Sequence, residues 1–252
     1  MWATVAALAA ITAYGLFTLD SNGVNIPDAI GETLRNFRTI FLHPESRRLS
    51  AGAAAWELLL TVAQAILITL FSGLVSLGLG LLGARNLAPK PLTQAIKAVI
   101  AVVRAIPSIL WVLIFAVAAG LGSTAAVLGL SMHSIGYLTK AYAESFESLD
   151  YGVVEALQAV GANWWQIVFQ AVLPSSSTYL LSWTFLRFEM NFTNVVAMGA
   201  AAGAAGIGFD LFMASSLYFD LGELGLITYF VLAFAILLEI VAIRVKAVLK
   251  ER

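Results

Sequence analysis

Apolar runs near the length of about 20 residues that a helix needs to cross hydrocarbon recur in this chain at about 2–19, 58–83, 97–118, 124–142, 175–199 and 224–243. That recurrence restricts the fold more than any other feature. With 60% hydrophobic and only 12% charged residues, the chain falls far from water-soluble domains, in which about 25% of residues are charged. The runs are continuous, unlike barrel strands of about 10 residues that alternate inward and outward. The expectation is an all-α membrane protein with about six transmembrane helices.

Charge, split by loop, orients the bundle. Arg85, Lys90, Lys97, Lys140, Arg244, Lys246, Lys250 and Arg252 fall on one side if the helices alternate, which makes that side cytoplasmic. The segment 20–57 lies opposite and mixes Arg35, Arg38, Arg47 and Arg48 with Asp20, Asp28, Glu32, Glu45 and Glu57, so its charges nearly cancel. Within it, Ile26, Ile30, Leu34, Phe37, Ile40 and Phe41 recur at helical spacing, the pattern of a helix lying on the membrane surface. Residues 1–19 lack a basic leading stretch and a convincing cleavage site, so a retained first helix is expected. The organisation read from this is a first transmembrane helix with an extracytoplasmic or interfacial segment over 1–57, then a transmembrane core over 58–252 with a cytoplasmic loop at 144–174. The absence of cysteine removes disulfides and thiolate metal sites.

The loop is the most shaped part of the chain. Glu155-Ala156-Leu157 opens a short helix, Gly161 stops it, Ile167, Val168 and Val172 form a second amphipathic turn, and Pro174 starts the next span. That order predicts a stiff elbow projecting into the cytoplasm. Trp164 and Trp165 suit the aromatic belt at the headgroups. Inside the third run, Pro107 removes a helix hydrogen bond and predicts a kink or a new start. Gly199, Gly203, Gly206 and Gly208 in an alanine run allow close helix contact or a mobile hairpin.

Ionisable residues inside a bilayer are costly and face a cavity or a partner. In the fifth run Thr184, Arg187, Asn191 and Asn194 share one helical face, whereas Glu189 points elsewhere. Two readings stand side by side. In one, the stripe lines a solute path, Arg187 attracts an anion and Glu189 binds a neighbouring helix or subunit; in the other, these are polar contacts between helices. His133, with Tyr137, Lys140 and Glu144 along its face, is read first as a packed hydrogen-bonding residue, with no metal ligand beside it. Glu239 and Arg244 reach the inner interface by snorkelling. No Gly-rich phosphate loop ending in Lys-Ser or Lys-Thr is present, so ATP hydrolysis by that cradle is excluded. Gly203 to Gly208 lacks the preceding strand and the acidic ribose ligand of a dinucleotide site.

Over roughly residues 55–250 the chain resembles the phosphonate ABC transporter permeases. The resemblance is carried by Ala84-Arg85-Asn86-Leu87-Ala88-Pro89, Arg104-Ala105-Ile106-Pro107, His133-Ser134-Ile135-Gly136, Glu155-Ala156-Leu157, Arg187-Phe188-Glu189-Met190-Asn191 and Gly206-Ile207-Gly208. It implies a type I ABC importer permease fold with a cytoplasmic coupling helix in the inner membrane, and no enzymatic activity of its own. It implies ATPase coupling through Glu155, Ala156, Leu157, Gly161 and Pro174, and a substrate pathway past Thr184, Arg187, Asn191, Asn194 and His133. The implied partners are two ATPase subunits that bind ATP and Mg, an extracytoplasmic solute-binding protein, a second permease subunit and membrane lipid, with no nucleic acid. The implied solute is a phosphonate, phosphite or phosphate. The chain departs from the pattern where Thr193 and Asn194 stand in place of a basic residue and where Ala205 replaces a glycine. A different small solute such as an amino acid, an ion-coupled secondary transporter and a membrane-embedded enzyme are the competing classes. The second would show related halves, and the third a cluster of His, Asp or Glu.

Overall fold

The computed structural model describes residues 2–18, 23 and 25–250, without the side chains of residue 151 and of 245–250. Asp20 and Arg252 lie outside the described residues, as do the side chains of Lys246 and Lys250. In chain order the helices are α1 (Trp2–Thr18), α2 (Ile26–Leu42), α3 (Ala51–Gly83), α4 (Lys90–Ala105), α5 (Ser108–Ala119), α6 (Ser123–Glu147), α7 (Tyr151–Ala159), α8 (Trp164–Ile167), α9 (Leu173–Met198), α10 (Ile207–Phe212) and α11 (Leu221–Lys250). Widened π-helical turns at Val168–Val172 and Met213–Tyr218 and a tight 3₁₀ turn at Gly199–Ala202 join several of them.

Helix α6 is the hub, packed on α3, α4, α5 and α9. Its buried face is made largely of small residues: Ala125, Ala126, Gly129, Ser131, Ser134, Gly136, Ala141 and Ala143. Between membrane helices, which lack a hydrophobic drive to associate, such residues let backbones approach and disperse against each other. At Gly129 the approach is closest, since a Cβ there would stand 2.5 Å from the Val112 Cα of α5. Hydroxyls seal the other side: Ser72 and Ser76 of α3 donate to the carbonyls of Ser131 at 3.3 Å and Ile135 at 3.2 Å. The outward apolar side chains of α3, among them Leu59, Leu67, Leu70 and Leu74, remain exposed, as a lipid-facing surface requires.

The run at 97–118 is not one straight helix: α4 and α5 meet at 88°. Pro107 is the cause, standing as the N-cap of α5, and the Trp111 indole closes the corner by donating to the Val103 carbonyl at 3.1 Å. By length and apolarity, α3 and α11 each qualify to cross a membrane, and counting each of two bent pairs as one span gives four. Among the described residues α1, with 17 residues, and α6, whose 25 residues include many polar side chains, fall outside that length-and-composition test.

The expected surface helix is α2, whose residues are largely exposed. It rides on α11, where Tyr229 donates to the Phe41 carbonyl at 2.7 Å and the two rings meet edge to face. The position 57/58 falls inside α3, which begins at Ala51 with the Ser50 side chain accepting from the Ala53 amide. The glycine-rich stretch after α9 is pinned: Thr61 accepts from the Ile207 amide, Gln64 donates to the Ala205 carbonyl, and the Gly122 amide donates to the Ala202 carbonyl. It turns the chain by 64° into α10.

Gly129→Val is expected to cost about 1–3 kcal/mol, because the α5 backbone cannot yield without repacking. A wild-type unfolding temperature for this variant in detergent would contradict the close α5–α6 contact.

Candidate functional site

The cytoplasmic loop folds as a braced lever. Asp150 caps α7 by accepting from the Gly152 amide at 2.9 Å. The helix ends in paired hydrogen bonds, from the Ala162 amide to the Leu157 carbonyl and from the Gly161 amide to the Gln158 carbonyl, both 3.0 Å. This ending requires a left-handed residue, and Gly161 supplies it at φ +85°. A capping box then opens α8: the Asn163 side chain accepts from the Gln166 amide, and the Gln166 side chain from the Asn163 amide.

Pro174 stands in the first turn of α9, as expected, and the chain is already helical before it, from Trp164 through the widened turn at Val168–Val172. Its ring cannot accommodate a regular turn before it. The π turn at Val168–Val172 absorbs the mismatch, with the Leu173 amide bonded to the Val168 carbonyl.

The lever is packed onto the inner ends of α3 and α6. Val154, Ile167, Val168 and Val172 are buried against Leu81, Leu138, Tyr142 and Phe146. The Trp164 indole donates to the Leu87 carbonyl at 2.9 Å, and the Asn86 amide group donates to the Phe146 carbonyl at 2.8 Å. Glu147 completes the joint, accepting from the Arg85 backbone amide at 2.9 Å and from Lys97 Nζ at 2.7 Å. Burial raises its pKa, but the Lys97 and Arg85 hydrogen bonds outweigh that, and it lies below the usual carboxylate value. Glu155 and Ala156 are exposed and Leu157 is half-buried, so this part of the expected coupling set shares one small helix with Gly161 at its end. Val160, Trp165 and Phe169 are exposed on the same unit.

The fifth-run stripe becomes a polar seam across the bundle. Arg187 and Asn191 are fully buried, while Thr184, Asn194, His133 and Glu189 are half-buried. Arg187 Nε donates to Ser134 Oγ at 3.0 Å, and Ser134 Oγ stands 2.8 Å from Asn191 Oδ1. Asn191 Nδ2 donates to Thr69 Oγ1 at 2.9 Å, and Thr69 donates in turn to the Ala65 carbonyl. Nearer the cytoplasm, Tyr142 and Thr184 hydroxyls meet at 2.6 Å. The Arg187 guanidinium lies over the Tyr137 ring, 5.2 Å from its centre, and its Nη2 has no hydrogen-bond partner. Thr184, Arg187 and Asn191 are therefore gathered into one structure, and His133 is the chain neighbour of its central hydroxyl. Ser134, Thr69 and Tyr142 were not singled out from sequence as seam members; regularly spaced hydroxyl residues in otherwise apolar helices were the available signal.

The chain belongs to the family described as binding-protein-dependent transport system inner membrane component, which matches residues 76–252. It is a multi-pass inner-membrane protein. It is similar to the phosphate-import permease protein PhnE of Mycolicibacterium smegmatis, 37% identical over 70% of this chain and 33% of that protein. It is also similar to the phosphite transport system permease protein PtxC of Stutzerimonas stutzeri, 34% identical over 75% of this chain and 69% of that one. The match thus spans a third of the length of the mycobacterial relative. Among solved structures, an inward-facing form of the MetNI methionine ABC transporter superposes with TM-score 0.68 at 20% identity, covering 77% of this chain and 93% of that one. That likeness supports the type I importer permease fold.

Asn191→Leu is expected to destabilise the protein by about 1 kcal/mol, the upper range for hydrogen bonds between membrane helices, read as a lower unfolding temperature in detergent. Glu147 adds an acid-sensitive contribution. Because its folded pKa is depressed, the stabilisation is complete above the ordinary value of 4.5 and is lost as pH falls through the lower folded value. Glu147→Gln should flatten the dependence of unfolding temperature on pH in that window.

Proposed function

We propose that the chain forms the membrane pathway of an ATP-driven importer for phosphonate or a related phosphorus oxyanion, phosphate or phosphite. The reading is carried by the braced lever, and the names of the two relatives support the solute class. Two separate ATPase subunits bind ATP and Mg, an extracytoplasmic binding protein delivers the anion, and a second permease subunit completes the pore. The exposed side of the loop, with Glu155 on α7, Val160 after it and Trp165 on α8, seats in the ATPase, and Glu155 meets a basic group there.

ATPase closure drags the lever, and because Val154, Ile167 and Val168 are packed on α3 and α6 the pull reaches those helices without slack. Rocking of α6 against α9 then breaks and remakes the seam. Arg187 is in none of the ion pairs found among the described residues and donates to Ser134, and its charge is the seam's source of attraction for an anion.

Reconstitution with the ATPase and binding protein tests the scheme by ATP-dependent uptake of phosphate, phosphite and a phosphonate. Gly161→Pro cannot hold φ +85°, since proline fixes φ near −65°. It and Glu155→Lys should leave ATP hydrolysis running while uptake falls at least about tenfold, the factor that 1.4 kcal/mol of lost coupling produces. Full uptake with either variant would contradict the lever. Arg187→Ala should lower uptake, and unchanged kinetics in a folded variant would assign Arg187 to packing alone. Uptake of an amino acid instead of these anions would redirect the solute class.

A further inference from the structure

From Trp164 to Met198 the chain is one helical rod, with the lever at one end and the seam at the other, widened only at Val168–Val172. Both ends face the same helix. Val168 is fully buried in the cluster that holds Leu138, Tyr142 and Phe146 of α6, Thr184 meets the Tyr142 hydroxyl at 2.6 Å, and Arg187 donates to Ser134. On α6 the receiving residues Ser134, Leu138, Tyr142 and Phe146 follow one another four apart, as a single stripe.

A regular helix would miss that stripe. Val168 and Arg187 are 19 residues apart, and at about 100° per residue an uninterrupted helix would leave them about 100° out of phase. One residue taken up without angular advance removes the offset, and a single-turn π bulge is such an insertion. The rest of α9 agrees. Ser176, Asn191 and Val195, also buried, would lie about 80° to 180° from Val168 in a regular helix, and the same correction brings them to within about 80° of it. Phe192 turns instead to Phe234 of α11.

We propose that the extra residue of this turn is a phasing element, which rotates the lever by one residue step about the axis of α9 so that the lever and Arg187 are presented to one stripe of α6. Phe169 and Gln170 are the exposed positions of the turn. Phe169 stacks on Trp165, which leaves Gln170 as the residue whose removal disturbs least. The effect of this phase on coupling rests on the import reading; the phase itself does not.

The test uses the full chain, which contains no cysteine, with Val168→Cys as reporter and Pro174→Ala to remove the ring that opposes a regular turn. Deletion of Gln170 is compared with insertion of one alanine after it. In an ordinary helix either change rotates the lever by about 100° and exposes the thiol. With a phasing residue the two differ. The deletion converts the widened turn into a regular one at the same phase, so the thiol reacts with a water-soluble maleimide as slowly as in the chain carrying Val168→Cys alone. The insertion rotates the lever, and the thiol reacts as fast as one introduced by Val160→Cys at an exposed position. A cooperative unfolding transition in detergent identifies the folded variants. A deletion variant that fails to fold or exposes its thiol overturns the proposal, as does an insertion variant that folds with its thiol shielded. An insertion that fails to fold beside a folded, shielded deletion preserves the asymmetry and supports it. In the reconstituted importer the insertion should lose the uptake that the deletion keeps, with ATP hydrolysis running in both; equal uptake with the thiol pattern intact counts against the import reading and leaves the phase standing.

Discussion

One hydroxyl, Ser134 Oγ, ties the centre of the bundle together. It accepts from Arg187 Nε at 3.0 Å and can hand its single proton to Asn191 Oδ1 at 2.8 Å. Asn191 then donates to Thr69, and Thr69 to the α3 backbone, so a directed chain of donors runs from a buried cation on α9 through α6 to α3. Where water is excluded, each of these groups would be costly alone. Together they hold three helices in register, and the small residues of α6 bring the partners within reach.

The same helix couples this centre to the inner surface. Its last turns carry Tyr142 and Phe146, which receive the loop by packing, and Phe146 and Glu147, which are tied to the α3–α4 turn by the Asn86 hydrogen bond and to α4 by the Lys97 ion pair. The surface that receives α7 and the Ser134 hydroxyl thus lie on one continuous helix. The π turn at Val168–Val172 gives the lever a second, direct route into α9.

What the sequence made legible was local. Gly161 and Pro107 announce their roles because a stop and a corner depend on the chemistry of one or two residues, and both stand where such features were expected. Arg187 was conspicuous because charge in an apolar run is rare. The central position of α6 was hidden, since hydropathy rewards lipid exposure and α6 turns its hydroxyls toward protein. The widened turn before Pro174 was hidden too, because it is a compromise between a proline and helix continuity.

The corner at Pro107 has a geometric outcome for the surrounding lipid. Helix α5 has 12 residues, which at 1.5 Å each rise about 18 Å against a hydrocarbon thickness of about 30 Å. Helix α4 leaves it at nearly a right angle. On this flank the chain offers a half-length post standing on a sideways beam, so α5 alone is too short to cover the hydrocarbon.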